Sequence, residues 1–143
     1  MDYETVDVEI LCNKRDSFLG ELKLFEESPE NARLVQLELN MDGKVLRFSD
    51  NSYFEALLQI RNILEKDGLQ IKCNGAARNV YPSTMQLSMG SGRLAHLMHM
   101  GRPAKRDDIV DIFECDNELE FTTISEQAKF YLDWITSINS ISK

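Results

Sequence analysis

The chain has 143 residues, 43% apolar and 28% charged, with 24 acids against 16 bases and a net charge of −8. That balance excludes a disordered or low-complexity chain, and the acidity argues against nucleic acid as a partner, because duplex binding needs basic groups that displace counterions. No apolar run approaches the roughly 20 residues of a membrane span, so no membrane partner is expected either.

One domain is expected over residues 1–143, a size that buries about 70% of the unfolded surface. The opening MDYETVDVEILC places acids where a signal peptide carries positive charge. The cysteines Cys12, Cys73 and Cys115 are odd in number and form no CxxC pair. They read as reduced thiols, and a cytoplasmic location is expected.

Residues 3–48 read as a strand meander. YETVDVEIL alternates, with Val6, Val8 and Ile10 on one face and acids on the other. GELKLFEE repeats the pattern through Leu22 and Leu24, and ARLVQLELNM through Val35, Leu37 and Leu39. Asp42-Gly43 is a favoured tight-turn dipeptide, and KVLRF returns from it. The spacing predicts four antiparallel strands with one wet, charged face.

A helix is predicted near 52–67. Ser52 and Glu55 fit a capping box, Phe54, Leu57, Leu58 and Leu64 form its stripe, and Gly68 stops it. LQIKC then reads as a strand and CNGAARN as a turn. RLAHLMHM fits strand or helix: as a strand it places Leu94, His96, Met98 and Met100 on one face. DDIVDIFE is equally open between short helix and strand.

The final helix is predicted near 123–139, with Thr123 and Glu126 as a capping box. Ile124, Ala128, Tyr131, Ile135 and Ile138 recur at helical spacing beside Trp134, and that face is expected to bury on the sheet. Truncating a docked Trp134 to Ala would cost about 3–5 kcal/mol. The fold class is therefore α+β: an antiparallel sheet of five or six strands with two main helices packed on one face.

Charge is distributed unevenly. Residues 68–106 form a Gly/Arg/Met-rich segment with Lys72, Arg78, Arg93, Arg102, Lys105 and Arg106 and no aspartate or glutamate. All 24 acids lie outside it. Two readings stay open. In one, the basic segment pairs with its own acidic sheet, in exposed ion pairs worth about 0–1 kcal/mol each. In the other, it is an anion-binding surface, with arginine forks for carboxylate or phosphate and glycines that open backbone N–H groups.

The motifs in this segment are weak individually. Gly90–Arg93, GSGR, lacks the lysine of a phosphate loop and the full GxGxxG spacing, so turn glycines explain it better. His96 and His99 share a helix face but oppose each other on a strand, and no four spaced ligands accompany them, so no metal and no cofactor is expected. Cys73 with His96, or Ser91 with His99, lacks any mark of a nucleophile–base pair, and no catalytic residue is assigned. Met85, Met89, Met98 and Met100 read mostly as core, with any exposed subset beside Arg78 and Tyr81 a contact patch.

NVYPSTMQLSMGSGRLAHLMHMGRPA, together with the later DIVDIFE, resembles a loosely defined group of small bacterial proteins of uncharacterised function. The shared pattern is Tyr-Pro, Met-x-Gly-x-Gly, Gly-x-Pro-Ala and an apolar stretch ending in Ile-Phe-acid, over roughly the middle third of the chain. Small acidic proteins of this kind include immunity proteins of contact-dependent or secreted toxin systems. The resemblance carries no catalytic residue. It implies a non-enzymatic binding protein, concretely an immunity protein that occludes a basic toxin domain such as a nuclease. The alternative is a small-molecule, nucleotide or organic-anion binding module or enzyme in the basic segment. Arg78, Tyr81, Arg93, His96 and Arg102 are the candidate binding residues, and the pocket reading requires Arg78, Tyr81, Arg93 and His96 to converge on one cavity.

Overall fold

The protein is described by a computed structural model covering residues 2–13, 15–89 and 91–141. The alternating N-terminal half forms β1 (Glu4–Leu11), β2 (Ser17–Phe25), β3 (Val35–Met41) and β4 (Lys44–Asp50). With β5 (Gln70–Lys72) they make an antiparallel sheet of order β4-β3-β2-β1-β5. The β3–β4 hairpin closes at Asp42 and Gly43, with φ of 47° and 81°. Two positive φ values define a turn whose twist matches its flanking strands.

The inner face carries Val8, Ile10, Leu22, Leu24, Leu37 and Leu39, all buried. Across it lies α1 (Tyr53–Lys66), which buries Phe54, Leu57, Ile60 and Leu64. Each such side chain contributes about 1.5–3 kcal/mol. Ser52 caps α1: its Oγ accepts from Glu55 N at 3.1 Å. Asp67 and Gly68, at φ +72°, end it.

The basic segment adds no sixth strand to this sheet. Together with residues 107–111 it folds into a second antiparallel sheet, β6 (Val80–Tyr81), β7 (Leu94–Leu97) and β8 (Ile109–Asp111), with α2 (Thr84–Met89) between its first two strands. RLAHLMHM thus resolves as strand, but β7 stops at Leu97; Met98 is buried and Met100 exposed. DDIVDIFE holds both alternatives in sequence, a 3-10 turn over Arg106–Asp108 and then β8.

Two expectations are corrected. Met85 and Met89 are 68% and 80% exposed and only Met98 joins the interior, because α2 buries no residue. And α3 (Ile124–Ile141) does not bury an apolar stripe on the main sheet. It meets α1 and β6, with Gln127 its buried residue among those described, Ala128 exposed, and Tyr131, Trp134, Ile135 and Ile138 half-buried. The inward position is polar because of its surroundings: a buried arginine on α1 and three backbone carbonyls of residues 75–80.

Candidate functional site

Of the four guanidinium groups of the basic segment, those of Arg78, Arg93 and Arg102 are engaged by carboxylates of the same chain, and Arg106 has no ion-pair partner among the described residues. Arg93 donates from Nη1 and Nη2 to both oxygens of Glu4, at 2.8 and 2.7 Å, and from Nε to Asp111 at 3.0 Å. Arg78 pairs with Glu120 at 3.2 Å and Glu126 at 3.1 Å. Arg102 lies 3.7 Å from Asp108, which His99 also approaches at 3.4 Å. Lys72 meets Glu9 at 3.7 Å. Asp108 and Glu126 are held below the usual carboxylate range, Asp108 chiefly by the backbone N–H of Lys105 and Glu126 by the Thr122 hydroxyl.

The five candidate residues are therefore dispersed. Tyr81 and His96 are register partners across β6 and β7. The Tyr81 ring lies between Phe54 and Tyr131, with centroids 5.1 and 4.1 Å away. Burial raises its phenol above the ordinary value. Arg78 reaches instead to the start of α3, Arg93 to the N-terminal end of β1, and Arg102 to the turn at Asp108. Of the five, only Arg93 lines the cleft of about 720 Å³ at the start of β1.

The glycine motif also resolves. Ser91 and Gly92 sit at φ 57° and 69°, and the Ser91 carbonyl accepts from Tyr53 N at 2.7 Å, the first N–H of α1. This turn thus serves the helix start; Gly90 lies outside the described residues. Cys73 belongs to the core, and burial pushes its thiol up to about 12, which keeps it protonated and non-nucleophilic.

The outer face of the main sheet is less acidic than the net charge suggests. Its cross-strand rows place Arg47, Glu38, Lys23 and Thr5 side by side, then Asn40, Glu21 and Asp7, then Glu9 beside Lys72. Glu38–Arg47 and Glu9–Lys72 are ion pairs at 3.3 and 3.7 Å. The face largely neutralises itself.

Unbalanced acidity lies instead at the rim. A cleft of about 720 Å³ opens between the start of β1 and the β2–β3 connection. Asp2, Glu4, Glu26, Glu27 and Glu30 line it, with Arg93 the one basic lining residue among those described. Asp2, Glu26, Glu27 and Glu30 have no ion-pair partner among the described residues. The connection is well ordered by its own bonds. Ser28 N donates to the Leu34 carbonyl at 2.7 Å, Leu34 N to Asn31 O at 3.0 Å, and the Ser28 hydroxyl bonds Ser49 at 2.8 Å. Tyr53, 3% exposed, forms part of the wall. Burial, reinforced by Glu26, pushes its phenol up to about 12.

Sequence reasoning misses this cleft. The run FEESPEN is legible as acidic, but which acids lack a partner depends on contacts far apart in sequence: Glu4 and Arg93 are 89 residues apart. Among the described residues no three His, Cys, Asp or Glu side chains are grouped to hold a metal ion. No helix among them is long and apolar enough to cross a membrane. Comparison with protein-family models and with curated proteins returns no match.

Proposed function

We propose that the protein is a non-enzymatic binding protein for a basic protein partner, and concretely an immunity protein that occludes a cationic bacterial toxin domain, a nuclease above all. The observation that carries this reading is the location of unpaired charge: Asp2, Glu26, Glu27 and Glu30 of the β2–β3 cleft have no ion-pair partner among the described residues, while the arginines Arg78, Arg93 and Arg102 are engaged internally. An anion-binding site needs free guanidinium groups that converge, and these diverge. A nuclease offers the opposite surface, because its active site is built to hold phosphates. Negative potential focused at one rim steers such a partner toward association at about 10⁸–10⁹ M⁻¹s⁻¹ at low salt. Occlusion then requires about 800 Å² buried on each side.

The test is co-expression with the product of the adjoining gene, and then association kinetics across salt. The expected result is a one-to-one complex whose on-rate falls by about tenfold or more between roughly 0.02 and 0.5 M salt. Absence of a complex with that product and with a panel of basic nuclease domains at low salt overturns the reading.

A further inference from the structure

We infer that the cleft between the start of β1 and the β2–β3 connection is a receptor for a short basic segment of the partner, taking two or more lysine or arginine side chains with the Tyr53 hydroxyl as its innermost contact. The inference rests on the proposed function and specifies where that partner is held.

Three independent features support it. First, the charge is unpaired. Glu4 is satisfied by Arg93, but Asp2, Glu26, Glu27 and Glu30 line the same space without an ion-pair partner among the described residues. Like charges crowded around one concavity repel, and a multivalent cation relieves that repulsion.

Second, Tyr53 is 3% exposed, yet no hydrogen bond reaches its hydroxyl among the described residues. That oxygen is not sealed in the core, since only Arg78 Nε is both fully enclosed and unpartnered among those residues. The groups that act on it electrostatically, Glu26, Arg93 and Glu4, all line the cleft, so the polar end of this side chain belongs to that space. A phenol driven up to about 12 stays neutral at physiological pH. It accepts from an incoming N–H while donating to a carboxylate. Water reaches this oxygen, and a ligand N–H takes the place of that water.

Third, the walls suit basic side chains rather than a bare ion. Pro29 and Ala32, both exposed, line the cleft and offer apolar surface for the methylene stems of Lys and Arg. Tyr3 stands at the rim, 51% exposed, and already has Lys23 Nζ 5.0 Å from its ring centroid, so this ring accepts an ammonium group. The acids themselves are not grouped as a metal cage among the described residues. A volume of about 720 Å³ accommodates several side chains.

The experiment uses the full chain and a fluorescein-labelled hexa-arginine peptide, with anisotropy as the readout. The triple variant Glu26→Gln/Glu27→Gln/Glu30→Gln is compared with Glu114→Gln/Glu118→Gln/Asp133→Asn, which removes equal charge at exposed positions elsewhere. The cleft triple is expected to weaken binding by about tenfold or more and the control by less than about threefold. Tyr53→Phe, which keeps the buried ring, is expected to weaken binding by about threefold or more with an unchanged melting temperature. Equal losses in the two triples overturn the cleft while leaving the basic-partner reading standing. No binding of the peptide by the wild type at low salt overturns both. Competition by calcium ion, or by spermine as effectively as by unlabelled peptide, identifies a small-cation site and overturns the assignment to a peptide segment.

Discussion

Arg61 Nη1 lies 2.6 Å from Gln127 Oε1, so a buried guanidinium on α1 is held by a neutral amide 66 residues away. Arg61 also donates to the carbonyls of Gly75 at 3.3 Å and Thr122 at 3.0 Å. Gln127 Nε2 serves the carbonyls of Gly75, Ala77 and Val80 at 2.8–2.9 Å. One pair therefore fastens α1, α3 and the connection between β5 and β6. Arg61 is 3% exposed, and carbonyl and amide oxygens replace its water. Gln127→Leu strips an acceptor from a buried cation and a donor from three carbonyls, and is expected to cost about 3–5 kcal/mol in urea unfolding. Arg61→Met/Gln127→Leu is expected to cost less than the sum of the single changes by about 1 kcal/mol or more. Strict additivity would show that the two groups do not act as a unit.

Gly92 sits where a side chain has no room. A Cβ there would meet Ser52 Cβ at 2.6 Å, and the residue holds φ +69°. Ser52 is the cap of α1, and the neighbouring Ser91 carbonyl takes the Tyr53 N–H. Gly92→Ala is expected to cost about 2–4 kcal/mol, from left-handed strain and displacement of the cap together. Thermal unfolding monitored by helix signal checks this; a loss below about 0.5 kcal/mol would mean the turn does not brace the helix.

Trp134 is half-buried, its Nε1 donating to the Arg102 carbonyl at 3.0 Å. Tyr131 stacks beside it with centroids 6.3 Å apart. Partial burial and one hydrogen bond put Trp134→Ala at about 1–2 kcal/mol, below the value for a fully docked indole. Trp134→Phe is expected to lose about 1 kcal/mol, mostly the hydrogen bond. A loss above about 3 kcal/mol in denaturant titration would mean that α3 is more deeply packed than its exposure indicates.

The range of each interaction decides whether it can be read from the chain alone. The β1–β4 meander and the two long helices announce themselves through local period and caps: Val6, Val8 and Ile10 alternate, Asp42-Gly43 turns, Ser52 caps. β6 has two residues and β8 three, too few for any period to show. The inward side of α3 escapes apolar spacing, because Gln127 is held by polar bonds to Arg61 and to carbonyls that no local pattern records. The same limit hides the cleft. The charge asymmetry is visible in the sequence, but the capture of Arg93 by Glu4 and Asp111, which leaves Glu26 and Glu30 without an ion-pair partner among the described residues, is not.

The Arg93–Glu4 pair predicts an acid limb. The hydrogen bond from Arg93 holds the Glu4 carboxyl below its ordinary value. A depressed folded-state pKa gives stability that is present above the unfolded value, about 4.3, and lost as pH falls through the folded value. Glu4 is half exposed, so screening limits the effect to about 1 kcal/mol at neutral pH. Glu4→Gln is expected to be destabilising by up to that amount at pH 7 and to match the wild type near pH 2, both read from urea midpoints. A difference that persists unchanged at low pH would assign the effect to packing.

Cys73 controls the alkaline limb. It is fully buried, with a thiol pushed up to about 12, while Cys12 and Cys115 are exposed. A thiol reagent near pH 8 is therefore expected to modify two cysteines in the native protein and the third only in denaturant. The linkage runs opposite to that of Glu4. Because the folded pKa is raised, the stabilisation is complete below the unfolded value of about 8.5 and is lost as pH rises toward the folded one. Tyr53, also near 12, adds to the same decline. Cys73→Ala is expected to lower stability by about 1 kcal/mol at pH 7 through the lost sulfur. It should also flatten the fall in urea midpoint between about pH 8.5 and 10.5 relative to the wild type. If the two proteins lose stability in parallel over that interval, the thiol ionises as readily folded as unfolded, and its place in the dry core is wrong.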